Sequence, residues 1–95
     1  MRKLRAEMSV VPEGDLGHDC PSGMRPSFNL GHEPITSVVD SARGEKRFAK
    51  GKAYEVVITL PDGEILGDQL RVGASFVLQV GGRKLGTGTI LEVLP

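Results

Sequence analysis

The sequence has 95 residues, of which 39% are hydrophobic, with only four aromatic residues and no Trp. This length predicts one domain over residues 1–95, because a second hydrophobic core would need more chain. Twelve Lys and Arg balance twelve Asp and Glu. The overall charge therefore does not indicate a nucleic-acid-binding protein, and any basic surface must be local.

The single cysteine, Cys20, excludes an internal disulfide framework and favours a reducing compartment. The first residues are charged and lead directly into an alternating strand pattern, without the apolar core of a signal peptide. No apolar run approaches the length of a transmembrane helix. We therefore expect a cytoplasmic protein that has no membrane partner.

The first predicted element is a strand over residues 4–10 with one buried face. Its polar residues alternate with four apolar ones, Leu4, Ala6, Met8 and Val10. Pro12 ends this pattern. Residues 11–23 are rich in Pro, Gly, Asp and Ser, which predicts a long exposed loop.

The middle of the chain predicts three strands separated by polar segments. Residues 28–30 predict a short strand, and residues 35–39 predict a β-branched one. Residues 40–52 carry seven charged side chains, which predicts a solvated loop with a brief extended piece at Phe48. Residues 53–60 are apolar on both faces near their middle, which is typical of a central strand.

The last part of the chain predicts a β-hairpin with arms at residues 76–80 and 85–93. The Gly-Gly pair at residues 81–82 is typical of a type I′ turn, because both central residues of that turn need a positive φ. Gly86 and Gly88 interrupt the second arm. Glycines inside a strand mark a bulge, a barrel corner or a close approach of two backbones.

Two further expectations concern the C-terminal part of the chain. After a turn at residues 61–63, residues 65–66 predict a brief strand. Within the second arm of the hairpin, strict alternation places Leu85 on one face and Ile90 on the other. Ile90 and Val77 would then lie on outer faces that suit a protein contact.

About six short strands are predicted, and no segment shows the apolar period of a helix of ordinary length. This pattern predicts an all-β fold, a small closed antiparallel β-barrel of about six strands. Closure is physically favourable because it removes exposed strand edges that so short a chain has little other means to cover.

Several motifs occur in one order along the chain. Residues 71–88 read Arg-x-Gly-x-x-Phe-x-x-x-x-Gly-Gly-Arg-x-x-Gly-x-Gly, and residues 22–28 read Ser-Gly-Met-Arg-Pro-Ser-Phe. A strand with an acidic residue after a small one opens the chain at residues 4–10, and Lys-Gly-Lys at residues 50–52 precedes the longest apolar strand. Together these motifs resemble the C-terminal β-barrel, or third domain, of elongation factor Tu.

The resemblance implies a non-enzymatic binding module without a cofactor. In that family the domain helps to hold the T-stem of aminoacyl-tRNA, packs on the GTPase domain and touches the nucleotide exchange factor. The sequence has no Gly-x-x-x-x-Gly-Lys-Ser/Thr loop, so GTP binding does not carry over. Two departures fall on binding loops: Gln79-Val80 replaces an Arg-Glu pair, and residues 31–34 replace a Thr-rich segment. The expected partners are tRNA or a GTPase-type protein domain.

The candidate partner- or RNA-binding residues are basic side chains in predicted loops and turns, namely His18, Arg25, Arg43, Lys46, Arg47 and Arg83. The run from 43 to 52 would contact phosphates with a salt-sensitive affinity. A solvated loop diluted by Asp40 and Glu45 is the alternative interpretation of that run. By the resemblance, His18 corresponds to an RNA-facing histidine and Arg83 to an arginine on the Gly-Gly turn. Arg83 would otherwise keep the hairpin tip soluble.

The loop with His18, Asp19 and Cys20 suggests a different class of function. Cys20 beside a histidine would suit a thiolate nucleophile, and both residues with His32 would suit a metal site. One Cys and two His lack the repeated spacing of well-defined metal sites, so we expect neither a catalytic nor a metal site. A metal- or thiol-dependent activity at this loop remains an alternative, as does a barrel that only self-associates.

Overall fold

The computed structural model describes residues 1–11, 20–31 and 33–95. In that part of the chain nearly all regular structure is β-strand, which confirms the all-β prediction. The elements in chain order are β1 (Arg2–Val10), β2 (Cys20–Pro21), β3 (Ser27–Asn29), β4 (Ile35–Thr36), β5 (Val38–Ser41), β6 (Arg47–Phe48), β7 (Ala53–Leu60), a 3₁₀ helix (Gly63–Gln69), β8 (Ser75–Val80) and β9 (Arg83–Leu94).

Seven strands form one antiparallel sheet in the order β4-β3-β8-β9-β1-β7-β5, and β2 pairs separately with β6. The sheet curls into a half-barrel. The predicted closed barrel of about six strands is therefore wrong, because the ladder has two edges, β4 and β5. These two edges are consecutive in the chain and are separated only by Ser37.

Backbone hydrogen bonds outside the named strands link the two ends of the curled sheet. The N–H of Gly23 donates to the carbonyl oxygen of Val39 over 2.7 Å, and the N–H of Val39 donates to that of Met24 over 2.9 Å.

Two prolines interrupt this link beside Ser37. The N–H of Ser37 donates to the carbonyl oxygen of Pro26 over 3.2 Å, but Pro26 has no N–H with which to complete the pair. On the other side, the register of β5 against β7 places Pro61 opposite Thr36. The strand predicted at residues 35–39 is therefore divided into β4 and β5, since neither neighbour offers a full set of hydrogen bonds.

The core lies inside the curl and is built from alternate residues of the strands. The pattern predicted for β1 is confirmed, because its four apolar residues are at most 2% exposed. From β7, Val56, Ile58 and Leu60 are fully buried. Phe28 and Phe76 stack with their ring centroids 4.9 Å apart, so β3 and β8 are joined by side-chain packing as well as by hydrogen bonds.

The hairpin between β8 and β9 is the one predicted. The glycines at residues 81–82 have φ values of +59° and +80°, which confirms the type I′ turn. A Cβ at Gly86 would lie 2.6 Å from the carbonyl oxygen of Ser9, and one at Gly88 would lie 2.5 Å from the ring of Phe76. These two glycines therefore allow a close approach between β9 and its neighbours, as expected.

Strict alternation fails along β9. The pairing of β9 with β8 skips Leu85, and its pairing with β1 skips Leu91. Each bulge inserts one residue and exchanges the two faces of the strand. As a result Leu85 and Ile90 are both buried, whereas Leu91 is 36% exposed. The predicted outer position of Ile90 is wrong, because partner strands, not the local pattern, set the bulges.

Residues 65–66 form part of the 3₁₀ helix, so the strand predicted there is also wrong. Gly63 packs so closely that a Cβ would lie 2.7 Å from the Cβ of Arg2. The chain therefore turns back at the end of β7 instead of extending, and Leu66 and Leu70 reach the core. No helix in the described ranges is long and apolar enough to cross a lipid bilayer.

Candidate nucleic-acid interface at one end of the sheet

The antiparallel register gathers basic residues from separate segments at one end of the sheet. We call it the basic end, where β1, β5 and β8 finish and β3, β7 and β9 begin. It holds eight of the twelve basic residues of the chain, Arg25, Arg43, Lys46, Arg47, Lys50, Lys52, Arg83 and Lys84.

Few described carboxylates oppose these charges. Four lie at or near the basic end, namely Asp40, Glu45, Glu55 and Glu7, which pairs with Glu55. The rest of the described chain has four cations and five carboxylates. Three more carboxylates belong to residues 12–19, which lie outside the described part. Among the described residues, the positive charge is therefore concentrated at one end of the sheet.

A tight turn after β5 supports the central cations. The hydroxyl oxygen of Ser41 accepts the N–H of Arg43 over 3.1 Å and that of Glu45 over 2.9 Å. Gly44, with φ of +88°, makes the reversal possible. The N–H of Ser41 in turn donates to the hydroxyl of Ser22 over 2.9 Å. The turn is therefore stabilised by the Ser41 hydroxyl within it and by the Ser22 hydroxyl of the neighbouring segment.

Strand β6 anchors the next residues to the core. Phe48 is fully buried and pairs with Cys20, so alternation directs Arg47 outward. The ring of Tyr54 meets Phe48 edge-on with centroids 5.1 Å apart. The N–H of Ala49 donates to the Tyr54 hydroxyl over 2.8 Å. The brief extended piece predicted at Phe48 is confirmed, and it presents Arg47 to solvent.

The cations of this turn differ in how far they are neutralised. Arg43 lies 3.4 Å from the carboxylate of Glu55, which also lies 3.4 Å from Arg5. Lys46 and Arg47 are exposed and form no ion pair with any other described residue. Lys46 and Arg47 therefore present uncompensated charge, whereas Arg43 shares a carboxylate.

Arg5 continues this row of ion pairs across the outer face of the sheet. Its guanidinium donates to the carboxylate of Glu92 over 3.1 Å. The pKa of Arg5 is raised, first by this hydrogen bond with Glu92 and further by the charge of Glu55. The row is surface-exposed, so it contributes little to the stability of the fold.

The other two described candidates approach the basic end from the opposite side of the curl. Arg25 is exposed and precedes Ser27 by two residues, and Ser27 pairs with Gln79 near the end of β8. Arg83 lies opposite Val80, just beyond the hairpin turn. Five of the six candidate residues, all except His18, are therefore at this end.

Two predictions fall outside the described residues: the RNA-facing position of His18, and the arrangement of His18 and His32 with Cys20. Cys20 was expected in an exposed loop, and this is wrong, because it lies in β2 and is only 4% exposed. Reactive cysteines are usually accessible, so its burial disfavours the thiol alternative. Among residues 1–11, 20–31 and 33–95, no three His, Cys, Asp or Glu side chains converge as metal ligands.

All four aromatic residues of the chain are described, and each is engaged in packing. The three phenylalanines are at most 2% exposed, and Tyr54 packs against Phe48. The described surface thus has no aromatic platform on which unpaired bases would stack. The basic end is suited to backbone phosphates and not to the recognition of splayed bases.

Sequence reasoning identified most of these cations one by one but missed their common location. The balance of charge over the whole chain conceals this location, and Lys84 is not among the residues that the sequence predicts. The signal available was the placement of Arg83 and Lys84 directly after a hairpin turn. No known protein-family model matches the sequence. Function is therefore inferred from this surface.

Proposed function

We propose that the protein is a non-enzymatic binding module for RNA, similar in fold and partner class to the third domain of elongation factor Tu but without a GTPase domain. The observation that carries this proposal is the excess of eight cations over four described carboxylates at the basic end. Cations that neutralise phosphates release counterions from the RNA, so the affinity rises as the salt concentration falls.

The kind of RNA follows from the absence of exposed aromatic rings in the described surface. Proteins that bind single strands without sequence preference use such rings to stack bases, whereas duplex RNA is recognised through its shape and backbone. A folded RNA with a duplex stem is therefore the favoured ligand. The resemblance to elongation factor Tu makes tRNA the specific candidate, and a cytoplasmic location belongs to the same proposal.

A protein domain of the GTPase type is the second candidate partner. It is favoured by Val80, which is 49% exposed next to the hairpin turn in the position where the resemblance has a charged residue. An exposed apolar side chain at a hairpin tip suits a protein contact better than a phosphate contact. Replacing Val80 by Ser should therefore leave RNA binding unchanged and weaken only a protein contact.

Fluorescence anisotropy with labelled tRNA, measured over a range of salt concentrations, tests the proposal. The double variant Lys46→Ala/Arg47→Ala should bind more weakly and reduce the slope of log K against log salt by about 1.5. The matched control, Lys3→Ala/Arg71→Ala, removes the same charge outside the basic end and should bind like the original protein.

Three outcomes would contradict the proposal. RNA binding that is absent or independent of salt would exclude an electrostatic RNA interface. Equal losses in the two double variants would show that overall charge, and not the basic end, is responsible. Tighter binding of a single-stranded RNA of the same length than of tRNA would show that the preference for a folded RNA is wrong.

A further inference from the structure

A second surface lies at the end of the sheet opposite to the basic end, between β4 and the 3₁₀ helix. It is a groove of about 510 Å³. Ile35, Ile65 and Leu66 give it an apolar lining, and Ile65 is 76% exposed. Glu33 and Asp62 line it as well and are both exposed.

The edge of β4 leaves backbone groups unused in this groove. Antiparallel strands direct the polar groups of successive residues to opposite sides. Because Ser37 donates toward Pro26, the N–H and C=O of Thr36 point to the other side, toward Pro61. Pro61 has no N–H, and no backbone hydrogen bond among the described residues reaches Thr36 from that side. The groove therefore contains a free donor and a free acceptor.

The charge of the groove defines which partner fits. Glu33 and Asp62 form no ion pair within the described chain, and none of the described basic residues lines the groove. An extended peptide that pairs with a sheet edge gains affinity from backbone hydrogen bonds and specificity from alternate side chains. A basic side chain of such a peptide would lie near these carboxylates, and an apolar side chain of the peptide would cover Ile65.

We propose that this groove binds an extended segment of a partner protein in which Lys or Arg residues alternate with apolar ones, added as a strand beside β4. The two carboxylates disfavour a phosphate backbone here, so RNA is not the expected occupant. The groove and the basic end lie at opposite ends of the sheet, so this site is independent of the proposed RNA interface.

The probe is a fluorescent six-residue peptide that alternates Lys and Val. It should bind with an affinity that falls as salt rises, and binding should slow hydrogen exchange at the Thr36 amide by at least about tenfold. Two versions of the peptide, N-methylated at the Lys or at the Val amides, separate strand addition from simple charge attraction. At least one should bind about tenfold more weakly, because it lacks the donor that faces β4.

Charge variants test the chemistry of the groove. Glu33→Gln/Asp62→Asn should weaken binding of the peptide about fivefold. The control Glu64→Gln/Asp68→Asn removes the same charge from the 3₁₀ helix outside the groove, and it should bind normally.

Failure of the peptide to bind, or equal binding of all N-methylated versions, would overturn the proposal. Protection of Thr36 that rises with protein concentration, in the absence of peptide, would mean that a second copy of the chain occupies the groove. That outcome would also overturn it.

Discussion

The hydroxyl of Ser37 donates a hydrogen bond to the carbonyl oxygen of Pro26 over 2.7 Å, and the N–H of Ser37 donates to the same oxygen over 3.2 Å. Ser37 is fully buried between the two edge strands. Because Pro26 has no N–H, the serine hydroxyl takes over part of the linkage that a backbone ladder would otherwise provide. The Ser37 side chain thus adds to the backbone hydrogen bonds that connect the two ends of the curled sheet, such as that from the N–H of Val39 to the carbonyl oxygen of Met24.

Removal of this hydroxyl should destabilise the fold. We expect Ser37→Ala to lower the free energy of unfolding by about 1 kcal/mol, the usual net contribution of a buried hydrogen bond. Urea denaturation would measure this change. Ser75→Ala, at an exposed position of β8, is the control and should be close to neutral. An unchanged urea midpoint for Ser37→Ala would show that the hydroxyl does not stabilise the junction.

A methyl group at Gly88 should be costly for a different reason. It would collide with the ring of Phe76 and with the carbonyl oxygen of Glu7, and the backbone oxygen has little freedom to move. We expect Gly88→Ala to lower the free energy of unfolding by about 3 kcal/mol. Gly31→Ala, where no atom lies within 4 Å but φ is +100°, should cost about 1 kcal/mol. Equal losses in these variants would contradict a close approach at Gly88.

The stability of the hairpin turn depends on the backbone conformation of its glycines and not on the space around them. Gly82 has φ of +80° and no atom within 4 Å of a potential Cβ. Gly82→Val should therefore lower the free energy of unfolding by about 2 kcal/mol through strain alone. Gly82→Asn should cost less than half as much, because Asn tolerates a left-handed conformation. Thermal denaturation compares the two variants, and equal melting temperatures would argue against the type I′ turn.

Glu55 offers a test in which binding is expected to improve. Its carboxylate neutralises part of Arg43 and of Arg5, so Glu55→Gln should increase the net charge of the basic end. If the proposed RNA interface is correct, affinity for tRNA should rise about threefold at low salt. Glu92→Gln removes the other carboxylate of Arg5 outside the basic end and serves as the control. Weaker tRNA binding by Glu55→Gln would exclude Arg43 as an RNA contact.

Features that depend on neighbouring residues in the chain could be predicted from the sequence. The four buried residues of β1 follow from alternation of polar and apolar residues, which a strand converts directly into two faces. The turn at residues 81–82 follows from the lack of a Cβ, because that property acts within the turn itself. The sequence left a bulge, a barrel corner and a close approach as alternatives for Gly86 and Gly88, and only the structure shows the close approach.

Features that depend on pairing between distant residues were decided only by the tertiary structure. Ile90 is buried because bulges against β8 and β1 exchange the faces of β9. The predicted strand at residues 35–39 is divided into β4 and β5 because the register brings Pro26 and Pro61 to the two sides of the Thr36–Ser37 junction. The basic end likewise exists because strands from separate segments begin or finish together. Register is a property of two strands at once, and local sequence contains only one of them.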